Sequence, residues 1–239
     1  MPFAFIVGAD GNYGGGGNSP ASTTTGAVDT TGADFLVVEA QWYPGITSDV
    51  VLSDSKGNTW TPLTKRTIGN LAHRMWWCAP TSVGSGHTFT VAATETYASL
   101  GAMALSGAHA SPFGAESGAT FSSDPTVQPG SLTPAEDNCL VIAATGAAGG
   151  LALLTDVTAD GGFTDRPVLP TGGVNTGGAI AYLIQTSAAA ANPTLTYDVT
   201  PTDVIAASAW FKAAGGPPAG DGAVQIAEEG MIYTPVMKW

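Results

Sequence analysis

The sequence predicts an all-β protein, an internally duplicated antiparallel β-sandwich, either jelly-roll-like or two Ig-like halves, with an extended C-terminal arm. Three observations predict it. Short runs rich in β-branched and aromatic residues are bounded by Gly, Pro, Asn, Asp or Ser, as strands are. No long stretch combines helical periodicity with a capping signal. The second half of the 239-residue chain repeats the order of features of the first at an offset of about 104 to 106 residues.

The elements follow in chain order. MPFAFIVGADGN at the start has no basic n-region, and its apolar stretch is too short for a signal peptide. Asp10 to Asn18 is glycine-rich and alternates oxygen-bearing residues at first, but Gly14 stands at the third ligand position of a calcium loop. Ser19 breaks the G-x-G-x-x-G phosphate fingerprint, which leaves a flexible or partner-moulded loop. Phe35 to Trp42, Arg74 to Cys78, Thr88 to Ala92 and Leu100 to Leu105 read as strands. Between the first two, SDSKGNTW (53–60) carries a hairpin signal: Asp54 bonds the backbone, Gly57-Asn58 tolerate positive φ, and Trp60 resumes the strand. GAHASPFG (107–114) then joins the two copies.

In the second copy, Gly114-Ala115-Glu116 matches Gly8-Ala9-Asp10, and Leu140 to Ala144 matches Leu36 to Ala40. Ile180 to Ile184 matches Arg74 to Cys78, PTLTY (193–197) matches HTFTV (87–91), and residues 204–214 match 98–108. The chain divides into a first repeat (1–108), a second repeat (109–214) and a tail (215–239). With no Gly/Ser linker or charge run between the repeats, one compact body of two halves is expected over two separate domains. GGPPAGDGA (215–223) suits neither helix nor sheet and leads to VQIAEEGMIYTPVMKW (224–239). That tail alternates apolar with polar or acidic residues, the pattern of an arm that adds a strand to a neighbour or lies in its groove. Its expected partner-binding residues are Val224, Ile226, Met231, Ile232, Tyr233, Val236 and Trp239. Folding back on its own sandwich is the alternative.

Charge narrows the function. Only 11% of residues are charged, against roughly 25% in ordinary soluble domains, so Ser, Thr, Asn and Gly supply the polar surface. The net charge is −12, and of seven cations only Lys65 and Arg66 are adjacent, which excludes a nucleic-acid partner. No apolar stretch is long enough to span a bilayer as a helix. Cys78 and Cys139 lie in apolar runs and read as buried free thiols.

Catalytic sets are scarce. His73, His87 and His109 fall on different elements without metal-ligand spacing and read as surface or strand-end histidines. HExxH, G-x-S-x-G and Walker A motifs are missing from the sequence. Glu39, Glu95, Glu116 and Asp160 read as solvated charges, and Glu228-Glu229 point to opposite sides of an extended tail. No catalytic, metal or cofactor residue is expected. Trp42, Trp60 and Trp77 are candidates for a sugar-stacking platform, although adjacent Trp76 and Trp77 must face opposite sides of their strand.

The run ADFLVVEA (33–40), followed by VVLSDSKGNTW (50–60), RMWWCAP (74–80) and SGHTFTV (85–91), resembles β-sandwich modules of tailed-bacteriophage particles. The resemblance covers most of 33–108 and, more weakly, 138–214, and it supplies no functional residues. It implies a non-enzymatic virion protein assembled in the host cytoplasm. The expected role is a capsid decoration or cement protein that oligomerises and contacts major capsid or tail proteins; a tail or fibre receptor- or glycan-binding module is the alternative.

Overall fold

Strands alone build the regular structure that the computed structural model describes, which covers residues 1–12, 22–43, 49–92, 97–168 and 176–215. The first copy contributes β1 (Ala4–Asn12), β2 (Ser22–Thr24), β3 (Phe35–Tyr43), β4 (Val51–Asp54), β5 (Thr61–Pro62), β6 (Arg66–Ile68), β7 (Leu71–Cys78), β8 (Phe89–Ala92) and β9 (Tyr97–Ser106). The second contributes β10 (Ala108–Ser122), β11 (Thr126–Val127), β12 (Leu140–Ala148), β13 (Val157–Ala159), β14 (Thr164–Val168), β15 (Thr176–Ile184), β16 (Leu195–Tyr197) and β17 (Asp203–Ala213). GAHASPFG is not a connector: β10 already begins at Ala108, and Gly107, at a φ of 95°, is the single residue between the copies.

Each copy has a large and a small sheet. In the first, the order is β1-β9-β3-β7-β5 with β6 also on β7, opposite β2-β8-β4; in the second it is β10-β17-β12-β15-β14, opposite β11-β16-β13. First strand pairs with last, second with next to last, and third with the one before that, all antiparallel. This nesting is a hairpin rolled upon itself, so of the two architectures expected it is the jelly roll that the strand order fits, once per copy. The turn at 53–60 forms, with Gly57 at a φ of 76°, but it is not a hairpin: β4 lies in the small sheet and β5 in the large one.

The two large sheets pack face to face, which makes four layers. Phe35, Val37, Met75, Met103 and Leu105 from the first copy share one apolar cluster with Leu140, Ile142, Ile180, Ala209 and Phe211 from the second. Separate clusters fill each roll between its large and small sheets. β3 and β12 are therefore covered on both faces, and nearly every residue in them is buried. An approximate two-fold relates the rolls. Phe5 and Phe113 stand opposite the corresponding residues Leu105 and Phe211, and each stacks on an aromatic of the other copy: Phe5 on Tyr182 at 5.0 Å, Phe113 on Trp77 at 6.4 Å.

This pairing corrects the match between the copies. Nine-residue β3 and β12 begin at Phe35 and Leu140, so the offset there is 105 residues, and Leu36 corresponds to Val141 rather than to Leu140. The paired residues Gln41 and His73 correspond to Gly146 and Gly178. They also meet across the seam, where a Cβ on Gly146 would lie 2.6 Å from Gln41 Cβ and 3.0 Å from His73 Cδ2. Bulky polar side chains of one copy thus fill the space left by Gly146 of the other.

The chain ends of the body converge. The N-terminal ammonium donates to the Ala214 carbonyl, Ala214 N donates to Gly107 O at 2.7 Å, and Phe3 is buried in the seam cluster. The N-terminal segment thereby docks on its own chain.

Candidate functional site

The polar groups of greatest chemical interest lie on the seam face of the first copy. Asp10, Gly101 and Glu39 are direct cross-strand neighbours on β1, β9 and β3, and with glycine in the middle the two carboxyl side chains flank an uncovered stretch of backbone. Opposite them stand Arg166 and Val168 of β14 and Ile180 of β15. Asp10, Gly101, Arg166, Val168 and Ile180, with Ala9 and Asp165, line a cleft of about 270 Å³ between the copies.

Behind Gly101 the site closes. Glu39 is fully buried, its Oε1 3.1 Å from where a Cβ on Gly101 would stand. Its Oε2 lies 3.2 Å from His73 Nε2, equally buried, without the alignment of a hydrogen bond. Burial, opposed by a backbone contact at Gly101, holds the Glu39 carboxyl well above the usual carboxylate range. Burial, with Arg66 adding repulsion, pushes His73 down to about 3. At neutral pH His73 is therefore uncharged, and burial favours the neutral form of Glu39 as well. Gln41 Nε2 donates to Ser99 Oγ at 2.6 Å, and Ser99 Oγ donates to Thr176 Oγ1 at 3.4 Å across the seam.

The sequence reading of Glu39 as a solvated charge and of His73 and His87 as surface histidines is thus corrected; only His109 is exposed. Glu116 is half-buried. Its carboxylate accepts from Thr64 N at 3.1 Å and Thr64 Oγ1 at 2.8 Å, and Arg66 Nη1 lies 3.5 Å away. Asp160 accepts from Thr194 N at 2.7 Å. Glu95 and Glu228-Glu229 lie outside the described residues.

A second acid–histidine set has the residue types of a nucleophilic triad. Thr30 Oγ1 is 2.8 Å from His87 Nδ1, and His87 Nε2 is 3.1 Å from Asp54 Oδ1. Its surroundings make it a brace. Asp54 also accepts from Lys56 N (2.8 Å) and Trp60 Nε1 (2.8 Å), Thr30 Oγ1 accepts from Gly84 N (3.0 Å), and Thr30 and His87 are fully buried. A hydroxyl enclosed this way has no approach for a substrate.

The tryptophans do not make a platform. Trp42 is fully buried in the core of the first roll, which removes it as a stacking residue. Trp60 packs edge-on against Phe89 in that same core while its indole N–H bonds Asp54. Trp77 faces the other way, into the seam, stacked between Phe35 and Phe113. Cys78 and Cys139 are free and buried, and burial pushes their thiols up to about 12 and about 11. Among the described residues no group of three or more His, Cys, Asp or Glu side chains could hold a metal ion, and no helix is long and apolar enough to cross a membrane. The arm residues Val224, Ile226, Met231, Ile232, Tyr233, Val236 and Trp239 lie outside the described residues.

Sequence reasoning missed Arg166 and the pairing of Asp10 with Glu39 across Gly101. The signal is present only in the strand register, which no single run of residues carries. Comparison with protein-family models, with curated proteins and with solved structures gives no match.

Proposed function

We propose that this chain is a structural component of a virus particle, a decoration or cement protein that joins neighbouring capsid or tail subunits and its own copies through the arm. The observation that carries the reading is the convergence of Met1, Gly107 and Ala214 on one rim of the body. The described body ends at Gly215 beside that rim, so an arm formed by the residues beyond it would tether a tightly packed double roll at one defined point. The charge-poor composition agrees with a surface made to lie against protein. Jelly rolls recur in capsid and lectin domains, an analogy at the level of fold.

The alternative of a glycan-binding tail or fibre module loses support with Trp42 buried and Trp60 and Trp77 on opposite faces of the large sheet. A chain ending at Gly215 tests the proposal. It should unfold at the same temperature as the full chain and fail to enter particles; normal incorporation would overturn the arm mechanism.

A further inference from the structure

We propose that the cleft over Gly101 is a binding site for a small zwitterion, such as a free α-amino acid, held between the Arg166 guanidinium and the Asp10 carboxylate. The two edges of the seam differ in their charge pairs. At one edge the guanidinium is Arg66 of β6, and the facing strand β10 carries Glu116 and Gly118. At the other it is Arg166 of β14, and the facing strand β1 carries Gly8 and Asp10. Register makes Gly8 the counterpart of Glu116, and Asp10 that of Gly118: Gly8 pairs with Met103 where Glu116 pairs with Ala209, and Asp10 with Gly101 where Gly118 pairs with Ala207. Acid and glycine have exchanged places.

The consequence is one closed charge pair and one open one. Glu116 reaches Arg66 at 3.5 Å and is gripped by Thr64. Aspartate is a methylene shorter, and among the described residues Arg166 forms no ion pair and no hydrogen bond. Its guanidinium lies over Gly8 and over the Phe5 ring, 5.2 Å from the centroid. Arg166 and Asp10 both line the cleft of about 270 Å³. Glu39, fully buried with neither carboxyl oxygen hydrogen-bonded, backs the cleft behind Gly101. An open pair of this kind is complementary to a molecule carrying both charges: a carboxylate takes the fork of Arg166, and an ammonium faces Asp10. Gly101 keeps the floor low, since a Cβ there would sit 2.9 Å from Val168 Cγ2.

Isothermal titration of the full chain with glycine, L-alanine and L-leucine tests the site, with acetate and ethylamine as half-probes. The expected result is saturable amino-acid binding at least tenfold tighter than either half-probe, weakened at least tenfold by Arg166→Gln and by Asp10→Asn. Asp10→Glu lengthens the acid by a methylene toward Arg166; it should close the pair, raise the melting temperature without probe, and abolish binding. Arg166→Gln removes no ion pair and should melt as wild type does, so its loss of binding is not a loss of fold. Absence of amino-acid binding to wild type, binding unchanged by Arg166→Gln, or acetate binding as tightly as the amino acids would each overturn the proposal.

Discussion

Glu39 and His73 set the pH response of the body. His73 is held at about 3 by burial against an ordinary value of 6.5, so as pH falls through that interval the unfolded chain takes up a proton that the folded chain refuses, and stability drops. Glu39 works on the opposite limb: its raised value means that stability falls as pH rises above 4.5, until the folded-state value is passed. Urea midpoints measured across pH should therefore show an acid limb that His73→Gln flattens and a limb above pH 4.5 that Glu39→Gln flattens. Unchanged limbs would place the titrating groups elsewhere. Gly146→Ala should cost about 1–3 kcal/mol by overpacking, because its Cβ would meet Gln41 Cβ at 2.6 Å and neither strand can move. A urea midpoint equal to wild type would mean that the seam is looser than its contacts imply.

At the scale of elements, the strands that the sequence predicts are present, three of the four with extended ends and β8 starting one residue later at Phe89, and both halves contain them in the same order. Their register between copies was not legible. β3 and β12 are buried on both faces, so they carry no alternation of apolar and polar residues to mark which side chain faces which layer, and an offset wrong by one residue reads equally well. For the same reason Glu39 passes for a solvent-facing residue in the sequence, although its face is covered by a second sheet. The Asp54 turn was legible because its cause is local: the carboxylate and Gly57 lie within a few residues of one another. What it braces is distant, since Asn58 Oδ1 accepts from Thr81 N at 2.9 Å and Asp54 holds His87. Asp54→Ala should thus destabilise the first roll by at least about 2 kcal/mol, seen as a lower urea midpoint, by leaving buried donors without an acceptor. Asp160, with Thr194 N as its hydrogen-bond donor and no histidine partner, should cost less when changed to Ala.

For the molecule as a whole, the large faces of the rolls are apolar and complementary, so each half exposes Phe35, Met103 and Leu105, or Leu140, Ile142 and Phe211, when separated. Residues 1–106 and 107–215 expressed together as separate chains should reassemble into one body, whereas either alone should self-associate or bind hydrophobic dyes; two well-behaved monomers would show that the seam is dispensable. The proposed arm belongs to this scale as well, because its use would be visible only in an assembly. The most direct measurement is a cryo-electron microscopy reconstruction of particles purified from cells that express the gene. Those particles should carry a four-layered double jelly roll attached to the capsid or tail by an extended strand of residues 224–239; purified particles that lack the chain would contradict the proposed role.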